Sequence, residues 1–239
     1  MPGVNPEPSA GGRSSELPAG GHSTELPAGG RTYGRQSSGE RAADRRDTLL
    51  DAAFVLVAAS GWPALRIDAL CRAAGLNKRY FYESFADLEA VIAALVDRVA
   101  AEAIAVAVAA IEPGADLTEA TRRSITAFVH HLTDDPRRAR VLFGALPADD
   151  AAAGHRTDAI RRVVAAAALT GRGINALPED PTVTLTAAML VGGTSQVILD
   201  WLDGQIDCGQ ERLIADLVML WQAAGDAAVA RVEGRPPLS

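Results

Sequence analysis

The chain has 239 residues, 48% hydrophobic and 22% charged, with 23 basic against 30 acidic side chains. That is enough chain to bury a sizeable core in one or two domains, while the net charge of −7 argues mildly against a nucleic-acid partner, since such domains are usually basic. Aromatics at 5% beside abundant alanine, leucine and valine favour helices over strands, and two cysteines, Cys71 and Cys208, make neither a disulfide framework nor a zinc site.

The amino terminus lacks a basic patch followed by an apolar run, so no secretory signal is expected and a cytoplasmic location is the default. Residues 1–40 hold 9 of the 22 glycines and 5 of the 13 prolines, with isolated apolar residues. Such a segment buries too little surface to offset its ordering entropy, and a disordered tail is expected there. Glu16–Gly21 returns as Glu25–Gly30, two copies being too few for a solenoid. Arg31, Arg35 and Arg41 offer the alternative of a tail that touches DNA.

From about Asp44 the pattern turns helical. Leu49, Ala53, Leu56 and Val57 recur at helical spacing until Gly61 and Pro63. A short helix follows from Arg66 to about Ala73, ended by Gly75, and Asn77 caps a third helix carrying Tyr80, Phe81 and Tyr82. Asp87 caps a fourth, running to about Ile111. Five further helices are expected over 116–133, 136–146, 151–170, 182–203 and 209–231, with a break at Gly171–Gly173. Thr182 to Leu199 is uncharged and as long as a membrane span. Its threonines, Gly192, Gly193 and Gln196 favour a buried helix, and no membrane partner is expected. The predicted fold is all-α, with a three-helix unit over 41–87 and a larger helical unit over 88–233.

Two short helices about a glycine turn form a helix-turn-helix, whose second helix can enter a DNA major groove. Leu70, Cys71, Leu76 and Phe81 supply its small core. The opposite face presents Asn77, Lys78, Arg79 and Tyr82, with Tyr80 near its edge, all able to reach phosphates or base edges. Arg66 stands at the first turn of the second helix, and Arg45 with Arg46 at the start of the first. The charge divides by region. Arg66 to Phe81 holds four basic residues and one acid, whereas residues 91–239 hold 13 basic and 19 acidic. The chain's one lysine, Lys78, lies on the expected reading helix.

Arg45 to Leu95 resembles the DNA-binding domain of the TetR/AcrR (tetracycline-repressor-like) regulators. The resemblance rests on Leu49-Leu50-Asp51-Ala52-Ala53, Gly61, Ile67-Asp68-Ala69-Leu70, Ala73-Ala74-Gly75-Leu76-Asn77-Lys78, Phe81-Tyr82, Phe85 and Glu89. It departs from the family at Arg79, where a small residue is usual, at Ser84, often aromatic, at Leu88, usually a phosphate-contacting lysine, and at Leu65-Arg66, usually threonines. Arg79 is expected to compensate, since an arginine can pair both acceptors of a guanine edge.

The resemblance implies a DNA-binding transcriptional regulator, a dimeric repressor released from a double-stranded operator by a hydrophobic small-molecule effector. It also implies a homodimer formed by the last two helices as a four-helix bundle, with Met189, Gly193, Val197, Leu213, Leu217 and Trp221 as interface candidates. Phe128, His131, Phe143 and Trp201 are candidate effector-pocket residues, and the pocket lining is expected to be apolar with a few arginines. Neighbouring His130 and His131 point about 100° apart on a helix and cannot share a metal. No catalytic arrangement has recognisable spacing, so neither an enzyme nor a cofactor is expected. The alternatives are a helical enzyme or protein-binding scaffold with a structural helix-turn-helix, and a TetR-like activator.

Overall fold

The computed structural model describes residues 38–144 and 150–234, with the side chains of 38 and 150–152 excepted. Among these residues the chain is helical throughout: α1 (Ser38–Ser60), α2 (Ile67–Ala74), α3 (Lys78–Ser84), α4 (Leu88–Ala109), α5 (Leu117–Thr133), α6 (Pro136–Phe143), α7 (Asp150–Asn175), α8 (Pro181–Leu202) and α9 (Gln210–Val232). A 3-10 turn, Trp62–Ala64, follows α1. The expected tail over 1–37, with its repeat and with Arg31 and Arg35, lies outside the described residues. Residues 38–40, expected in that tail, are the first turn of α1.

Helix starts follow a chemical rule. A short side-chain oxygen takes one of the backbone N–H groups that the first turn leaves unpaired. Asn77 accepts from Tyr80 N, Asp87 from Ala90 N, Asp116 from Glu119 N, Asp135 from Arg137 N and Asp180 from Thr182 N. The α2 end obeys the complementary rule. Gly75 sits at φ 65°, ψ 25°, a region costly for residues with a Cβ. Its N–H meets Arg72 O, while Leu76 N–H closes on Cys71 O at 2.9 Å.

Helix α7 corrects the expected break. It runs through Gly171 and Gly173 to Asn175 and ends at Ala176, φ 49°, where Leu177 N–H caps Arg172 O. Each glycine costs a helix about 1 kcal/mol, but α7 packs along α4 and α8 over most of its length. Tertiary packing overrides that local preference.

The core is continuous. Leu49, Ala53, Leu70 and Phe81 of the first three helices belong to the same buried cluster as Val91, Leu95, Val129, Leu142, Ile198 and Leu217. Helix α1 packs on α4 and α6. Arg98 bridges α4 to Asp51 at 2.7 Å, and the Arg137 guanidinium covers the Phe54 ring at 5.1 Å. The expected boundary at 87/88 therefore falls at a helix cap inside one packed body.

Helices α8 and α9 are long and apolar enough to cross a membrane, yet only 28% and 33% of their most apolar windows are buried. The expectation that α8 is a buried helix is met on one face only. Val183, Ala187, Val191, Thr194 and Ile198 face inward. Leu185, Met189, Gly192 and Gly193 are exposed.

Candidate nucleic-acid interface and ligand cavity

Phe81 is fully buried and Phe85 nearly so, which fixes the rotation of α3 about its axis. The Tyr82 ring meets Phe81 edge-on at 5.1 Å. With that side anchored, Asn77, Lys78, Arg79, Tyr80 and Tyr82 are all exposed, as is Arg66. Helix α1 holds the unit from behind: Arg46 donates to Ser84 O at 3.0 Å, and its guanidinium covers the Phe85 ring at 4.1 Å.

Lys78 and Arg79 on this face are paired with acids. Lys78 Nζ lies 2.7 Å from Asp68 Oδ1, and Arg79 Nε donates to Glu83 Oε1 at 2.9 Å. Arg45 is less open than its neighbours. It lies 4.8 Å above the Tyr80 ring and 3.7 Å from Glu83, and its buried Nε has no partner among the described residues. The Asp68 carboxyl is held below its ordinary range by the Lys78 hydrogen bond and charge, and Lys78 is raised in turn. Glu83, two residues beyond the locally basic stretch, is a participant that the regional charge count missed. Cys71 fills a core slot, and burial pushes its thiol upward, away from thiolate chemistry.

A cavity of about 140 Å³ lies between α4, α5, α7, α8 and α9. Of the four expected pocket residues only Phe128 lines it. Phe143 is buried in the core cluster. Trp201 donates its indole N–H to Cys208 O at 2.8 Å, tying α8 to the loop that follows it. His131 lies elsewhere, with a buried Nε2 that has no partner among the described residues. Burial, with Arg138 nearby, pushes His131 below its ordinary pKa. The expected arginines are also missing from the wall, which is mostly alanine, valine, leucine and isoleucine, with Phe128, Trp221, Asn175 and a few hydroxyl side chains. No sequence signal separates such residues from ordinary core.

Trp221 corrects a second expectation. Expected at the dimer face, it lines the cavity, half-buried, and donates its indole N–H to Thr194 Oγ1 at 2.9 Å. Leu213 and Leu217 are buried against their own chain and so cannot belong to an exposed face. Val197 is half-buried, while Met189 and Gly193 are exposed. Helix α9 presents Met219 and Leu220 instead, both more than half exposed.

No family model matches the chain. It is 25% identical over 193 residues to the HTH-type transcriptional regulator EthR of Mycolicibacterium smegmatis, across 79% of this chain and 89% of that protein. Among solved structures, a TetR-family transcriptional regulator from Syntrophomonas wolfei superposes with a TM-score of 0.66 at 14% identity, over 77% of this chain and 96% of that one. The fatty acid degradation regulator FadR from Bacillus halodurans superposes at 0.62 with 15% identity, over 74% and 94%. A TetR-like regulator from Rhodococcus sp. RHA1 superposes at 0.56 with 21% identity, over 79% and 97%. The structures carry the fold and the EthR similarity carries a sequence relationship over 193 residues, so the chain is similar in fold to TetR-family regulators and in sequence to an HTH-type transcriptional regulator.

Proposed function

We propose that the chain is a cytoplasmic, dimeric repressor that reads operator DNA with α3 and leaves it when a small molecule fills the cavity. The observation that carries the reading is the division of α3, with Phe81 locked in the core and Lys78, Arg79 and Tyr82 held outward on one rigid face. Lys78, Arg66 and Tyr82 are assigned to phosphate, and Arg79 to a base edge. Tyr80, braced by Arg45, flanks them, and Asn77 serves first as the cap of α3.

One reading helix spans a short half-site, so affinity and specificity call for two, about one turn of DNA apart. The exposed Leu185, Met189, Met219 and Leu220 support a partner copy on the α8–α9 face. At Gly192 and Gly193 no atom lies within 4 Å of an added Cβ, which leaves room for a second backbone. Helix α4 supports the coupling. Its first residues follow the reading unit, and Ile104, Ala107 and Val108 near its other end line the cavity. A ligand that favours one setting of α4 weakens DNA binding by its differential affinity for the two states, and DNA weakens the ligand by the same factor.

The test is a gel shift with the DNA upstream of the chain's own gene and excess random competitor. Retention by the ligand-free protein is the expected outcome. Binding that random DNA removes equally well favours a structural helix-turn-helix instead.

A further inference from the structure

We infer that the ligand taken by the cavity is a small uncharged molecule, about one ring in size, carrying a single hydrogen-bonding group. The inference rests on the reading of this cavity as the effector site. The volume of about 140 Å³ is close to that of an engineered apolar cavity of about 150 Å³ that holds benzene. Among the described residues no Asp, Glu, Lys, Arg or His lines the wall. Arg172 shares the turn of α7 that carries Gly171 and Asn175 but is not part of the lining; its terminal nitrogen lies 3.8 Å from Glu179, and its buried Nε has no partner among the described residues.

A charged ligand group set against this wall would therefore meet no counter-charge, and where it is desolvated it binds in its neutral form. For a carboxylate of ordinary pKa, taking up that proton at pH 7 weakens binding by a factor of about 100 or more. For an alkylammonium, losing a proton weakens it by about 1,000 or more.

The wall is not purely apolar. Thr121 and Ser124 stand three residues apart on one face of α5, with Thr170 on α7 and Thr186 on α8. None of the four hydroxyls has a hydrogen bond to another described residue. Asn175 donates its amide to Gly171 O at 2.9 Å, which leaves its carbonyl to accept. A hydroxyl, carbonyl or neutral amide on the ligand meets donors and acceptors here, and its hydrocarbon part meets Phe128, Ile104 and Trp221.

The experiment compares benzyl alcohol, benzoate, benzylamine and toluene on the full chain by calorimetric titration, with release of upstream DNA read in parallel. Saturable 1:1 binding of benzyl alcohol is expected. Benzoate should bind at least about 100-fold more weakly at pH 7 and recover about tenfold for each unit that pH is lowered. Thr186→Val and Ser124→Ala should weaken benzyl alcohol while leaving toluene unchanged. Benzoate or benzylamine binding as tightly as the alcohol at pH 7 overturns the inference, and so does the absence of saturable binding by the alcohol and toluene. The two readings separate cleanly. Benzyl alcohol that binds without releasing DNA contradicts the effector reading alone, whereas benzoate that binds tightly at pH 7 and releases DNA contradicts the ligand class alone.

Discussion

Lys78 and Arg79 each hold an acid in the free chain, at Asp68 and Glu83, and on the proposed reading DNA must displace that partner with a phosphate or a base. Exposed pairs of this kind stabilise the fold very little, so their effect belongs to binding. Asp68→Asn, which frees Lys78, is expected to raise affinity for random duplex DNA several-fold in fluorescence anisotropy, and Glu83→Gln, which frees Arg79, to raise it on the upstream duplex. Lys78→Ala is expected to lower random-DNA affinity and to reduce the salt slope by about 1. His131 titrates in the opposite sense to a paired cation. Burial, with Arg138 nearby, lowers its pKa, so folding favours the neutral ring and protonation favours the unfolded chain. Its contribution is intact above the unfolded value near 6.5 and is lost as pH falls below it. Denaturant midpoints at pH 7.5 and 5.5 should therefore differ less in His131→Gln than in the parent chain. At this scale the exposed polar face of α3 was legible, because Phe81 and the turn at Gly75 fix which side of the helix is buried. The cavity was not, since Thr186 and Ala187 look the same in sequence whether they face a ligand or a neighbouring helix.

The helix-turn-helix is held by one turn and one aromatic. Gly75→Ala places a Cβ at φ 65° and is expected to cost about 1–2 kcal/mol, while Phe81→Ala, a fully buried site, should cost about 3–5 kcal/mol. Gly173 tests the opposite sign. It lies inside α7, with no atom within 4 Å of an added Cβ. Gly173→Ala should stabilise by about 0.5–1 kcal/mol in thermal or denaturant unfolding. The element boundaries came from caps, and the caps at Asn77 and Asp87 stand where the sequence placed them. Two of the misplaced boundaries share a cause. Polar and glycine-rich text hid the first turn of α1 and the last of α7, and packing against α4 and α8, which no local pattern encodes, decided the second.

The net charge of −7 reads differently on the folded molecule. The acidic excess belongs mostly to residues 91–239, beyond the helix-turn-helix, and leaves Arg66 to Phe81 locally basic. Apolar surface is distributed just as unevenly. Helices α8 and α9 were legible as long and apolar, but which of their faces stays exposed was not, because Leu213 and Met219 are both apolar and only the packing buries the first and exposes the second. Met189→Asp, an exposed position, is expected to shift the chain toward monomer in sedimentation while leaving its helicity intact. It should also weaken operator binding about tenfold or more, through loss of the second half-site.

The central claim, that α3 reads sequence, is tested most directly by Arg79→Ala on the upstream duplex and on random DNA at one salt concentration. The expected result is a loss of about 1–3 kcal/mol on the upstream duplex, with random-DNA affinity little changed. Unchanged affinity on both would contradict it.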